Sequence, residues 1–254
     1  MTKSARPRLR QAWDAGRPAI GAWLSSDAPM NAEALSDLDV DYIAVDLQHG
    51  VVDYAGAVRV FQSLQAAEAT LVCRVPWNEP GIIGKVLDAG AMGVIVPMVN
   101  TADDARRAVA ACRYAPDGAR SFGPIRARRL FGADYAERAN DEIACIPMIE
   151  TAEALGNLDD ILDVPGIDAA YVGPADLSLT LGLPPRSDHA DPRFVDALAT
   201  VRAACEARGI VAGIHAVPGL GSKRLSEGFR MVTVTSDLTA LAAGAAADVA
   251  AARP

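Results

Sequence analysis

The chain has 254 residues, a formal net charge of −8 and 51% hydrophobic residues, enough for a sizeable buried core. The acidic balance argues against a general nucleic-acid binder, and no apolar run reaches the roughly 18 residues of a membrane span. The basic start, MTKSARPRLRQAW, has no apolar stretch behind it and does not read as a secretory signal. Cys73, Cys112, Cys145 and Cys205 lie far apart without CxxC spacing, so reduced thiols in a cytoplasmic protein are expected, without structural zinc.

Short apolar runs recur along the chain: AIGAWL (19–24), YIAVDL (42–47), LVCRV (71–75), GVIVPM (93–98), ACIPMI (144–149), DAAYVG (168–173), VAGIHAV (211–217) and MVTVTS (231–236). None alternates with polar residues, so each reads as a strand buried on both faces, as in a parallel sheet. Ala-rich amphipathic stretches between them, such as DYAGAVRVFQSLQAAEA and TADDARRAVAACRYA, read as helices, with Asp103 and Asp104 placed to suit a helix start. The segment 116–140 is expected to be a long irregular loop, and residues 238–252 a terminal helix. Eight strands alternating with helices point to a single-domain (β/α)8 barrel over 1–254, for which about 250 residues is the usual length. A doubly wound open sheet is the alternative, weakened by the lack of any GxGxxG after a strand.

In such a barrel the chemistry sits where strands end at their C-terminal side. The polar residues that terminate the runs are Asp46, Gln48 and His49, then Arg74, Glu150, Asp176 within GPADLS, and His215. Glu150 and Asp176 can form a hard oxygen site for Mg²⁺ or Mn²⁺; the competing reading makes them helix caps. Arg74 stands in an apolar strand, where a guanidinium needs an anion: either a substrate oxyanion or a structural partner such as Asp46. His49 is a candidate general acid/base. His189, in a Pro- and Asp-rich loop, reads as solvated. Gly173 and Ala175 can offer backbone N–H groups to a ligand around Pro174, which has none. Arg120, Arg126, Arg128 and Arg129 form a basic run that reads as a solvated or subunit-contact face, or as a loop attracting an anionic substrate.

The segments VDLQHG, CRVPWNEP, KVLDAGAMGVIVPMV, RYAPDGARSFG, PMIET and YVGPADLS together resemble the HpcH/HpaI aldolases, the class II pyruvate aldolases, over about residues 18–237. The resemblance implies a (β/α)8 barrel, a homo-oligomer that is a hexameric dimer of trimers with its last helix swapped between partners, and Mg²⁺, Mn²⁺ or Co²⁺ as cofactor. By motif, Glu150 and Asp176 match the metal ligands, Arg74 the arginine that steadies the pyruvate enolate, and His49 the catalytic histidine. Asp88 matches an aspartate that reaches a neighbouring subunit's site and pairs with that histidine. Two positions depart from the pattern. Gln48 stands where many members have Glu, which changes the charge beside His49. Met148 stands where some have a substrate-contacting Gln. His215 stands where close relatives are often apolar and is expected to bind substrate, reading the aldehyde.

The implied reaction is reversible cleavage of a 4-hydroxy-2-oxo acid into pyruvate and an aldehyde, without nucleic-acid or membrane partners. Two other readings share the barrel: an acyl-CoA lyase of the citrate-lyase β-subunit or malyl-CoA type, and a non-catalytic binding protein. A Schiff-base route is not expected. Lys3, Lys85 and Lys223 are the only lysines, and none falls in a predicted strand.

Overall fold

The computed structural model describes residues 6–253 of the chain. Eight strands, β1 (Ala19–Leu24), β2 (Tyr42–Asp46), β3 (Thr70–Arg74), β4 (Gly93–Val96), β5 (Ala144–Ile149), β6 (Ala169–Val172), β7 (Val211–His215) and β8 (Met231–Ser236), pair in parallel in sequence order, and β8 returns to β1. The closed barrel replaces the open-sheet alternative. All eight strands fall within a residue of the apolar runs at their starts. Several end earlier than the runs do, because Leu47, Met98 and Val217 belong to the loops that carry the site.

Residues facing out of the barrel, such as Ile43, Cys73, Val94 and Val172, pack under the surrounding helices. Those facing in form a second cluster that includes Trp23, Tyr42, Val72, Ile95, Ile146, Met148, Tyr171 and Met231. This two-sided burial explains the unbroken apolar runs. Inside, bulky rings face residues with no side chain. A Cβ on Gly21 would lie 2.1 Å from the Tyr42 ring, and one on Gly213 would lie 2.7 Å from Tyr171. The two phenols share one acceptor and donor, the Thr233 hydroxyl, at 2.8 and 2.6 Å.

Two segments depart from expectation. Residues 116–140 are not one loop: Ile125–Phe131 and Tyr135–Glu142 are helices, and the irregular part is 113–124. Arginines at 126, 128 and 129 mask a short helical stripe in which Ala127 and Leu130 are buried, and Gly132, at φ 106°, ends it. The basic N-terminal segment contains a helix, Arg8–Asp14, whose Leu9 and Ala12 join the interior cluster and whose Leu9 N–H donates to Thr70. The Ala-rich terminal helix is present as Asp237–Ala252. Asp237 is its one buried residue, and its carboxylate accepts from Ser25 and Ser26 N–H at the end of β1. No helix among the described residues is long and apolar enough to cross a membrane. The four cysteines are free and buried.

The shared hydroxyl at Thr233 makes a test. Thr233→Val keeps the shape and leaves two buried phenols without their partner, so it should cost about 2 kcal/mol or more. Urea denaturation followed by circular dichroism checks this; an unchanged midpoint would mean the layer is held by packing alone.

Candidate active site

At the C-terminal rim, the residue that ends β2 and the residue that ends β3 are register neighbours: Asp46 pairs with Arg74. The alternative raised for Arg74 is therefore realised, because its Nε and Nη2 donate to Asp46 Oδ1 and Oδ2 at 2.8 and 2.6 Å. Only 3% of the aspartate side chain and 11% of the arginine's is accessible. The same carboxylate accepts from Trp23 Nε1 at 3.3 Å and from the backbone N–H groups of Gln48 and His49 at 3.0 and 3.3 Å. Burial pushes the Asp46 carboxyl up, but Arg74, Gln48 and Trp23 together hold it below the usual carboxylate range. Arg74 Nη1 has no protein hydrogen bond among the described residues, and the guanidinium lies 5.0 Å from the Trp23 ring centroid. The turn after Asp46 holds His49 exposed. It closes on Gly50, where a Cβ would come 2.2 Å from the Asp46 carbonyl oxygen.

Across the rim, Glu150 follows β5 and is 1% accessible. Its Oε1 accepts the Met98 N–H at 2.8 Å. Met98 sits at φ 55°, the one described non-glycine residue in the left-handed region, which places that N–H against the carboxylate. Its other oxygen abuts Gly173, where a Cβ would lie 2.4 Å away. Burial, then the charge of Asp176, push the Glu150 carboxyl up to about 7 against the Met98 hydrogen bond and Arg74. Asp176 lies in the first turn of the helix Pro174–Thr180, after β6, and is partly buried. The capping reading fails for both carboxylates. Thr151 caps the helix after Glu150, and Gly173, with no side-chain bond, is the cap before Asp176.

His215 ends β7 beside this group, edge-on to Trp23 with ring centroids 4.9 Å apart. Burial and the nearby Arg74 charge push its imidazole down to about 4. Glu150, Asp176, Gly173, Arg74, Asp46 and His215 thus share one mouth, and Pro174 and Ala175 enter it on the turn after β6. Asp88 does not join them within the chain. It ends the helix Pro80–Asp88 and takes Arg120 Nη2 at 2.7 Å, in a groove on the barrel flank lined also by Lys85, Arg107 and Ser121. The basic run divides: Arg120 is buried, Arg126 donates to the carbonyls of Ala89 and Phe61, and Arg128 and Arg129 are exposed. His189 is not merely solvated, since Nε2 contacts the Pro184 carbonyl at 2.9 Å and its ring packs on Phe194. Lys85 lies over the Tyr54 ring and Lys223 pairs with Asp188, both in helices, while Lys3 lies outside the described residues. Trp23 and Met98 escaped the sequence reading. A tryptophan inside an apolar run looks like core, and the Met98 contribution is a backbone N–H that no motif marks.

A closed parallel barrel with an arginine and two carboxylates at its C-terminal rim defines a (β/α)8-barrel enzyme. Residues 19–243 match the HpcH/HpaI aldolase/citrate lyase family. The chain is 40% identical over 247 residues to a hydroxypyruvate/pyruvate aldolase of Rhizorhabdus wittichii, covering 97% of this chain and 98% of that one. It is 38% identical to a 4-hydroxy-2-oxo-heptane-1,7-dioate aldolase of Salmonella dublin, covering 94% and 92%. The crystal structure of a HpcH/HpaI aldolase/citrate lyase family protein from Burkholderia cenocepacia superposes with a TM-score of 0.90 at 31% identity, over 98% of this chain and all of that one. The chain belongs to the HpcH/HpaI aldolase/citrate lyase family and is a carbon–carbon lyase.

The Asp46–Arg74 pair gives a test of its own. Asp46→Asn leaves a largely buried guanidinium without its counter-charge and should cost about 3 kcal/mol at neutral pH. Because the folded carboxyl titrates below its ordinary value of 3.8, that stability is present above 3.8 and lost as pH falls through the lowered value. The gap between variant and parent in denaturant melts should therefore narrow in acid; a gap constant with pH would assign the loss to packing.

Proposed function

We propose that this enzyme is a metal-dependent pyruvate aldolase, breaking and forming the C3–C4 bond of a 4-hydroxy-2-oxo acid to give pyruvate, or a close 2-oxo acid, and an aldehyde. The observation that carries this reading is Glu150: a carboxylate 1% accessible, facing Asp176, with one oxygen on Met98 N–H and no cationic side chain bonded to it. A buried carboxylate in that state fits a cation better than it fits an empty cleft. No group of three or more His, Cys, Asp or Glu side chains suited to a metal lies among the described residues, so the protein's share of the ligands is the Glu150/Asp176 pair. Both are hard oxygen donors, suited to Mg²⁺, Mn²⁺ or Co²⁺. When bound there, the cation supplies Lewis-acid polarisation of the 2-oxo acid.

The remaining work falls to side chains and backbone. Arg74, oriented by Asp46 and backed by Trp23, turns Nη1 toward the negative charge that grows on the 2-oxo oxygen. The Gly173–Pro174–Ala175 turn offers N–H groups from Gly173 and Ala175 to the substrate carboxylate. In cleavage, His49 takes the proton of the 4-hydroxyl through a water. The C3–C4 electron pair passes to C3, and a proton returned to C3 completes pyruvate. Asp88 serves the His49 of a neighbouring copy in a hexameric dimer of trimers. Its flank supports this, since Gly123 approaches Asp88 beside the exposed Phe122 (65%) and Ile125 (90%), apolar surface of the kind that marks a contact.

Retro-aldol turnover of 4-hydroxy-2-oxo acids, with coupled detection of pyruvate, tests the reading. Chelator should stop turnover, Mg²⁺ or Mn²⁺ should restore it, and Glu150→Ala should not be rescued at ordinary metal concentrations. Full activity in excess chelator would overturn it. No lysine in the described barrel lies on a strand, so borohydride treatment with pyruvate should leave the intact mass unchanged. A stoichiometric pyruvyl adduct with matching loss of activity would replace the metal route by a Schiff base.

A further inference from the structure

We infer that the N-terminal face of the barrel carries a second binding site, one for a small organic dianion, at the end opposite the catalytic mouth. The inference stands apart from the aldolase reading and does not depend on it.

A cavity of about 480 Å³ opens where β6, β7 and β8 begin. Its wall is formed by Asp168, Val211 and Arg230 at those strand starts, by Arg10 and Trp13 of the helix Arg8–Asp14, and by Arg202 of the helix Pro192–Ala207. Close contacts fix three guanidiniums around it. Arg10 lies 5.7 Å from the Trp13 ring centroid and pairs with Asp168 at 2.7 Å. Arg202 runs against the turn before β8, where a Cβ on Gly228 would lie 2.9 Å from its Cδ. Arg230 is held by its backbone, whose N–H donates to the Ala212 carbonyl and whose carbonyl accepts from the Ala19 N–H. Its Nη2 reaches the turn after Trp13, 3.8 Å from where a Cβ on Gly16 would stand.

The charges here do not balance, although the chain as a whole is acidic. Arg10, Asp14, Asp168, Arg202, Glu206 and Arg230 line the cavity, and Arg6 and Arg113 pair with the two aspartates. Five arginines thus stand against three carboxylates, which leaves two positive charges in excess and makes the cavity attractive to anions. Arg230 carries one of them outright, since its side chain has no ion pair or hydrogen bond among the described residues. Arg202 is easily recruited, because its ion partner Glu206 is 76% accessible and so exposed a pair contributes little. Trp13 adds a buried indole N–H with no acceptor, a group that folded proteins seldom leave unpaired. Guanidinium forks suit the oxygens of carboxylate and phosphate alike, and two excess charges match two negative ones. Trp13, Ile167 and Ile210 give a short carbon skeleton a surface to rest on. The ligand class is therefore a small organic molecule bearing either a phosphate monoester or two carboxylates.

Calorimetric titration of the full-length enzyme, with no divalent metal added, tests this with two probes, glycerol phosphate and succinate. Constant ionic strength and a pH of about 8 keep both probes doubly charged, the second phosphate pKa being about 6. The parent should bind one or both saturably, and the tighter of the two identifies whether phosphate or dicarboxylate is recognised. Arg230→Gln should weaken that binding by about tenfold or more, the scale of one lost hydrogen bond to a charged group. Arg202→Gln should act in the same direction and decides the matter if the first variant does not fold. Absence of saturable binding of both probes to the parent would overturn the inference. So would binding as tight in Arg230→Gln as in the parent, because the anion would then sit elsewhere, as at Arg74 in the mouth. Neither result bears on the aldolase reading, which turnover tests separately.

Discussion

One buried carboxylate fixes the geometry of the mouth. Asp46 accepts from both arms of Arg74, from the Trp23 indole and from two successive backbone N–H groups in the turn that presents His49. A charged pair taken out of water is tolerated only when its remaining polar atoms are satisfied, and Asp46 meets that condition with donors from three strand ends. The consequence is mechanical as much as electrostatic. Arg74 cannot swing without breaking a bidentate pair, and the His49 turn cannot shift without losing two bonds to the same carboxylate. The acidic group that sequence inspection treats as one of several strand-end polar residues is the anchor for the rest.

Beneath that anchor the barrel supplies a rigid floor. Trp23 stacks near Tyr171 at 6.1 Å, Tyr171 and Tyr42 meet on Thr233, and Gly21 and Gly213 open the space that those rings occupy. Filling a barrel interior with few large rings set against glycines leaves little free volume for repacking. Arg74 and His215 rest on the top of this layer through Trp23. The polar site is therefore carried by interior aromatic packing, and a change several residues below the mouth can tilt the groups that do chemistry.

Much of this was legible in the sequence because parallel strands buried on both faces write themselves as unbroken apolar runs, and a barrel puts its chemistry at their ends. Glu150, Arg74, Asp176 and His215 were found by that rule alone. What the sequence hid has physical causes. Met98 contributes a backbone N–H from a left-handed turn, and backbone conformation at a non-glycine residue leaves no mark in composition. Trp23 reads as core because it is core and site at once. The helices at Ile125–Phe131 and Tyr135–Glu142 were obscured by arginines whose roles are structural, Arg126 binding two carbonyls and Arg138 spanning Asp134 and Glu142. Asp88 lies on the flank, paired with Arg120, where neither its motif nor the strand-end rule points.

The charge balance of the mouth follows from the same pairing. Among the described residues Arg74 is the only cation bonded within the site, and both of its side-chain hydrogen bonds go to Asp46. Burial and the Asp176 charge outweigh the Met98 hydrogen bond and Arg74, and push the Glu150 carboxyl up to about 7. A protonated carboxylic acid is a poor ligand, so the cation proposed for this pair would have to displace that proton as it binds. The pairing of Arg74 with Asp46 thus has a second effect beyond orientation. It turns the guanidinium's charge toward Asp46, so that Arg74 lowers the Glu150 carboxyl by less than burial and Asp176 raise it.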